Sequence, residues 1–126
     1  MLQGRPFPEV NAAVDVCNLC SLRFLLPIGL YDARKVRGTT TLRRGRPGES
    51  YAGIRKDLVH LAGRPVLSDE AGPFGNPTSD SLRTSVDAGT SALRMVIFAP
   101  IDTPPEQLDA HVAFARWEID RSLRDP

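Results

Sequence analysis

An α+β domain is predicted by three features: an apolar helical segment near the start, a middle stretch broken by Gly and Pro into short alternating runs, and a helix-start signal at Thr103-Pro104-Pro105-Glu106. The 126 residues fit one domain of ordinary size, which buries about two-thirds of its unfolded surface. Apolar residues at 41% and charged residues at 25% exclude a disordered or fibrous chain. A formal charge of +1 gives no overall field for nucleic acid, so any RNA contact has to come from a local patch. Fourteen arginines stand against two lysines, Lys35 and Lys56. Arginine is the better phosphate fork, but a genome rich in G and C produces the same bias.

The first helix is expected from Val10 to Leu26. Val10, Ala13, Val14, Cys17, Ser21, Phe24 and Leu25 share one face, and Leu19, Leu22 and Leu26 make the other side apolar, so the helix is expected to be buried nearly all round. Asn11, Asp15 and Asn18 form a polar stripe within about 60° on the helical wheel. On so apolar a helix Asn18 is expected to point inward and bond, since an unbonded buried amide is costly. Pro27 ends the element.

From Ile28 to Pro100 the period becomes that of strands. Ile28–Tyr31, Thr39–Arg44, Pro65–Ser68, Ser81–Val86 and Leu93–Ala99 read as short strands between Gly, Pro and Asp turns. The segment Asp69–Asp80 reads as a long polar loop, a length that is usually functional or mobile. The last helix, about 104–124, is capped by the Thr103 box with proline at its first position. Leu108, Val112, Ala115, Ile119 and Leu123 form its apolar stripe, with Ala110, Phe114 and Trp117 nearly opposite. The Phe114/Trp117 face is expected to be uncovered and to favour self-association. No apolar run approaches the roughly 20 residues that span a bilayer, the start is no signal peptide, and two cysteines make no disulfide framework. The chain reads as cytoplasmic.

Cys17 and Cys20 have metal-ligand or redox spacing, but a zinc site needs four ligands and no second pair accompanies them. Mid-helix on an apolar face, they read as small hydrophobes. No metal or cofactor is expected. His60 and His111 lack a nucleophile elbow, phosphate loop or dinucleotide fingerprint, and read as packing or surface residues. The polar residues among the strands are better candidates: Asp32, Arg43, Arg44, Glu49, Asp69, Asp80, Ser81, Arg83 and Thr84. Arg43-Arg44-Gly45-Arg46 gathers three guanidinium groups that can clamp phosphate; equally, it is a solvated turn held by an Arg43–Glu49 pair. The alternation Asp80-Ser81-Leu82-Arg83-Thr84 puts Ser81 and Arg83 on one strand face, either at a ligand or in water.

The series Asn11-x-x-Val14-Asp15-x-x-Asn18, Leu26-Pro27-Ile28-Gly29-x-Tyr31-Asp32, Gly38-x-x-x-Leu42-Arg43, Pro47-Gly48-Glu49, Leu67-x-Asp69 and Asp80-Ser81-x-Arg83-Thr84, followed by Thr90, resembles the B3/B4 domain. That is the tRNA-binding and editing module of the phenylalanyl-tRNA synthetase β-subunit, found also as freestanding proteins. The resemblance runs from about Asn11 to Pro100. It implies a β-rich α+β core of mixed strands, flanked here by a buried N-terminal helix and an amphipathic C-terminal helix. Synthetase members hydrolyse wrongly charged tyrosyl-tRNA on this domain. They carry a histidine where this chain has Gly29, and an acidic residue where it has Ser81-Leu82-Arg83, so those editing residues have no counterpart. Freestanding members match better at Arg83-Thr84 and carry a longer segment before Asn11, so the chain reads as a truncated or mis-started version.

The resemblance implies a module that binds tRNA or aminoacyl-tRNA and acts in trans as a deacylase of mischarged species. Asn18, Asp32, Arg43, Glu49 and Arg83 are the binding candidates. Asp80 and Thr84 are the catalytic candidates. Two other readings stay open: a noncatalytic module for an amino acid or RNA end, and a degenerate fragment acting through protein contacts at Phe114/Trp117.

Overall fold

The computed structural model describes residues 8–55 and 57–123, with side chains from residue 12 to 122. The expectations that rest on the side chains of Val10, Asn11 and Leu123 therefore lie outside the described residues. The elements are α1 (Pro8–Phe24), β1 (Ile28–Asp32), β2 (Thr41–Arg44), β3 (Ser50–Ala52), β4 (Leu58–His60), β5 (Pro65–Asp69), β6 (Gly72–Gly75), β7 (Leu93–Ile97) and α2 (Pro105–Leu123). This is an α+β chain, and it forms two compact units, one of residues 1–28 with 95–126 and one of Gly29–Arg94.

The helical unit is built on α1 against α2. Its core is Val16, Cys20, Phe24 and Ala115, with Leu26, Ile28, Met95, Ile97, Phe114 and Ile119 packed on it. Residues four apart share one helical face, so 16, 20 and 24 make a single stripe. Both cysteines belong to the packed side of α1. α1 ends one residue before a left-handed Leu25, φ 58°. The Leu26 N–H returns to the Ser21 carbonyl at 3.3 Å and the Ser21 hydroxyl donates to the Leu26 carbonyl at 2.7 Å. This is the six-to-one closure that glycine normally serves; here the stop precedes Pro27.

Three expectations for this unit are corrected. α1 is not buried all round, since Val14, Leu19 and Leu22 are exposed, Leu22 at 75%. Asn18 is exposed beside Asp15, so the polar stripe faces solvent rather than bonding inward. In α2 the inward face carries His111, Phe114, Ala115 and Glu118, and Val112 is exposed. A hydrophobicity count misses that rotation because two inward residues are polar. His111 stacks on Phe24 with ring centroids 4.0 Å apart, and Phe114 meets Phe24 edge-on at 5.9 Å. The Glu118 carboxylate goes in with Arg121 on it at 2.6 Å. Phe114 is thus half-buried, with the Arg23 guanidinium 4.2 Å from its centroid, and only Trp117 of the expected pair is open, at 57%. The first helical bond of α2 runs from Leu108 N–H to Pro104 O, which puts the cap one residue after Thr103 and Pro105 at the first helical position.

The strand unit holds two small antiparallel sheets. One has the order β2-β5-β6 and the other pairs β3 with β4. β2 lies on β5 with Thr41 opposite Ser68 and Arg44 opposite Pro65, while β3 sets Tyr51 against Val59. Val59, Leu61 and Val66, with Tyr51 on them, fill the space between. β6 falls inside the stretch read as a loop. Gly72-Pro73-Phe74-Gly75 has little strand character, but β6 is a sheet edge, where proline costs no ladder bond. Conversely, Ser81–Val86 is not a strand. Ser81 N–H bonds Phe74 O, Leu82 N–H bonds Ala52 O, and a turn closes at Ser85; the alternation reflects single bonds to two sides.

Asp69 fastens this unit. Its carboxylate, fully enclosed, accepts from Arg37 N–H at 2.8 Å, Ala71 N–H at 2.9 Å and both terminal nitrogens of Arg83 at 3.1 and 2.9 Å. Burial works against its charge, but those bonds outweigh burial and hold its pKa below the usual Asp value. A lowered folded pKa stabilises above the unfolded pKa and loses that effect as pH falls through the folded one. Asp69→Ala should cost about 2 kcal/mol at neutral pH, because it leaves Arg83 and the part-buried Arg37 and Ala71 amides without their acceptor. Urea unfolding would show it, with the deficit shrinking in acid; an unchanged midpoint would refute this role.

Candidate functional site

Gly29 and Tyr31 are two residues apart on β1 and so face the same way. The Tyr31 phenol lies back over Gly29 and across Gly75 of β6. A Cβ at position 29 would sit 2.2 Å from its hydroxyl oxygen, and one at 75 would sit 2.3 Å away. The ring is fully buried and meets Phe74 edge-on, with centroids 5.1 Å apart. Its hydroxyl donates to Asp80 Oδ1 at 2.6 Å.

The segment from Asn76 to Asp80 closes over this phenol. Asn76, 3% exposed, accepts from Thr78 N–H at 2.8 Å and Ser79 N–H at 2.6 Å through its Oδ1, a local turn typical of Asn. Its Nδ2 is then buried with no partner among the described residues. Tyr51 of β3 donates its hydroxyl to the Ser79 carbonyl at 2.5 Å. Two phenols from different sheets therefore hold one short segment. Below it, Ser81 and Thr84 are buried with their hydroxyl oxygens 3.4 Å apart.

Asp80 is the half-buried acid in this group. Burial drives its pKa up to about 6, against the lowering effects of the Tyr31 hydroxyl and the Asn76 backbone N–H. Burial, followed by the charge of Asp80, likewise pushes the Tyr51 phenol above its ordinary value. A carboxylate raised toward neutrality can exchange a proton there.

The remaining candidates lie elsewhere. Asp32 is buried, accepting from Arg34 N–H and from the Thr90 hydroxyl, each at 2.9 Å, and so ties β1 to the 87–90 turn. Arg43 and Glu49 make a two-pronged pair at 2.8 and 2.7 Å, and Glu49 also accepts Arg46 N–H at 2.7 Å. The Arg43 bonds, then the Arg46 N–H, hold the Glu49 carboxyl down at about 2. Arg83 spends its guanidinium on Asp69 and the Gly72 carbonyl. Asn18 belongs to the helical unit. Of the candidates, Arg43 is joined to Glu49, Asp32 N–H bonds the Thr84 carbonyl at 2.9 Å, and the Thr84 hydroxyl meets Ser81, the residue after Asp80. Tyr31, Tyr51 and Asn76 were not singled out by sequence reasoning, although Gly29-x-Tyr31 on one strand face was a readable sign of a ring seated on a glycine. An open depression of about 300 Å³ also lies apart from Asp80, lined by Leu42, Arg43, Arg44, Gly63 and Pro65. Among the described residues no group of three or more His, Cys, Asp or Glu could hold a metal ion, and no helix is long and apolar enough to cross a membrane.

Residues 1–103 match the B3/4 domain family. The phenylalanine–tRNA ligase beta subunit of Paramagnetospirillum magneticum is 35% identical over 65 residues, 51% of this chain and 8% of that protein. That of Corynebacterium efficiens is 36% identical over 78 residues, 56% of this chain and 9% of that protein. The chain thus spans less than a tenth of the length of these relatives. An N-terminal fragment of the phenylalanyl-tRNA synthetase beta-subunit from Pyrococcus horikoshii shares the fold, with a TM-score of 0.67 at 17% identity over 86% of this chain and 40% of that one.

The Asp80 carboxyl predicts a pH signature. Its folded pKa is raised, so the fold favours the neutral acid; that contribution is whole below the ordinary Asp value and is lost as pH rises through about 6. Asp80→Asn keeps an oxygen for the Tyr31 hydroxyl and removes the charge. The variant should be more stable than the parent at pH 8 and no more stable at pH 4, as read by thermal melts. Equal destabilisation at both would show that burial does not control this group.

Proposed function

Since this chain belongs to the B3/4 domain family, we propose that it binds the aminoacyl end of tRNA in its strand unit and hydrolyses mischarged species there. The observation that carries this reading is the Asp80 carboxyl, pushed up to about 6 and bonded to the backbone N–H of Asn76, whose side-chain amide is buried without a partner among the described residues. An aminoacyl ester is already reactive, so a positioned water and a base near neutrality supply much of the needed rate. Ionised Asp80 takes a proton from water as its oxygen adds to the ester carbonyl. Asn76 Nδ2 donates to the carbonyl oxygen as negative charge develops on it. The tetrahedral adduct then collapses and the ribose oxygen leaves with the proton that Asp80 returns, giving free amino acid and uncharged tRNA. Thr84, whose hydroxyl is buried against Ser81, positions the segment that carries Asp80 and does not touch water. The tRNA relationship is carried by the phenylalanine–tRNA ligase relatives, and the deacylation step belongs to this proposal alone.

One observation favours the noncatalytic alternative. The Tyr31 hydroxyl fills the space that a side chain at position 29 would need, so a histidine-dependent editing route is closed, and amino-acid binding without hydrolysis would use the same Asp80 and Asn76 groups.

The test is single-turnover deacylation of a panel of mischarged tRNAs. The wild-type rate should rise with pH through about 6 and then level, and Asp80→Asn should lower it by about 100-fold or more with tRNA affinity retained. A wild-type protein that raises no hydrolysis rate, yet is stabilised in thermal melts by a free amino acid, would replace this reading with the noncatalytic one.

A further inference from the structure

The charge of the chain is unevenly divided. Residues 29–94 contain eleven basic and seven acidic side chains, net +4, whereas the other residues contain five basic and eight acidic, net −3. Within the strand unit the basic excess meets at two turns stitched together by their backbones. Gly45 N–H donates to Arg64 O at 2.7 Å, Gly63 N–H to Gly45 O at 2.9 Å, and Leu61 N–H to Glu49 O at 3.0 Å. The approach is close enough that a Cβ on Gly45 would lie 1.9 Å from the Leu61 carbonyl oxygen. Gly48 and Gly63, at φ 82° and 76°, close the two turns in the left-handed region.

This stitching brings Arg44, at the end of β2, together with Arg46 and Arg64 on the adjoining turns, all three exposed. Arg43 is not one of the open charges, because Glu49 saturates it; the same carboxylate fixes the Arg46 backbone. Among the described residues the guanidinium groups of Arg44, Arg46 and Arg64 make no hydrogen bond or ion pair, although Arg46 lies near enough to Glu49 to help lower its pKa. Arg44 lines the open depression of about 300 Å³ with Leu42, Arg43, Gly63 and Pro65, the last two being the chain neighbours of Arg64.

We infer that this two-turn arginine face is a docking surface for the phosphate backbone of RNA, with the Arg43–Glu49 pair as the clasp that holds it in shape. The inference rests on the tRNA reading above and deepens it by assigning the contact to residues other than Arg43 and Arg83. Three forked donors on fixed turns suit successive phosphates, whose oxygens accept them bidentately. The absence of an aromatic side chain from the depression's wall argues for backbone contact without base stacking.

The experiment measures binding of bulk tRNA as a function of salt for the wild type, for the triple variant Arg44→Ala/Arg46→Ala/Arg64→Ala, and for Arg116→Ala as a charge control on the other unit. Each lost phosphate contact lowers the slope of log affinity against log salt by about 0.7 to 0.9. The triple variant should therefore lose about two units of slope, and lose affinity most at low salt. Arg44→Lys should keep most of the slope and Arg116→Ala all of it. Unchanged binding by the triple variant overturns the assignment and leaves the deacylation reading standing. Wild-type protein that fails to bind tRNA at low salt overturns both. Equal competition by polyglutamate, with the same dependence on the three arginines, also overturns it by moving the face to acidic protein partners.

Discussion

The Tyr31 phenol occupies space that two other residues would otherwise use, and the arrangement of the strand unit follows from that steric fact. It requires glycine at 29 and at 75, on two different strands. Gly75 in turn belongs to an edge strand of otherwise poor strand residues, which the ring and Phe74 hold by packing rather than by propensity. The hydroxyl reaches the far side of the same packing and captures Asp80. One aromatic side chain thus links β1, β6 and the 76–80 segment, and the polar end of that link lies at the candidate site.

Around this link the polar residues divide according to whether their bonding is complete. Asp69 takes four donors, Glu49 three, and Asp32 joins a backbone amide to the Thr90 hydroxyl. Groups so saturated have little left with which to bind a ligand; their energy goes into holding loops that lack regular structure, since breaking such a bond leaves a buried partner unpaired. Among the described residues Asn76 Nδ2 and His111 Nε2 are buried without a partner, and the guanidinium groups of Arg44, Arg46 and Arg64 are open. Asp80 accepts two bonds, as Asp32 does, and differs from it in that burial raises its pKa to about 6, so environment separates these groups where residue type alone does not.

The same criterion explains what the sequence could and could not convey. The α+β class, both helices and the strands at 28, 41, 65 and 93 were legible, because apolar periodicity and turn residues are local properties. β6 was hidden because its reason for existing is a ring from β1. The strand read at Ser81–Val86 was false because alternation there reports bonds to Phe74 and Ala52, not a ladder. In α2 the inward His111 and Glu118 rotate the buried face away from the apolar count, since Phe24 stacking and the Arg121 pair make their burial tolerable. Asn18 failed for the opposite reason: an apolar helix was read as a buried one, and its leucines in fact reach solvent. At the site, the charge of Asp80 was visible and its environment was not, because burial is contributed by residues distant in the chain.

That environment bears on whether Asp80 is only structural. The fold needs an oxygen at position 80 to receive the Tyr31 hydroxyl, and an amide would supply one without a charge to desolvate. Carboxylate in this place is instead held where burial raises its pKa to about 6, so at neutral pH its ionised form works against the stability of the folded state. The Asn76 amide nearby in the chain is a second group kept unsatisfied although buried, which also costs stability. Asn76 closes the turn through its Oδ1 and Asp80 receives the Tyr31 hydroxyl, but neither bond satisfies the Nδ2 or requires a charge. Groups strained in this way cluster at sites that meet a ligand, where the missing partner is brought from outside. A relic of a lost site would retain the fold without needing either feature. Their presence together on one five-residue segment, pinned by two phenols, is what the proposed site rests on.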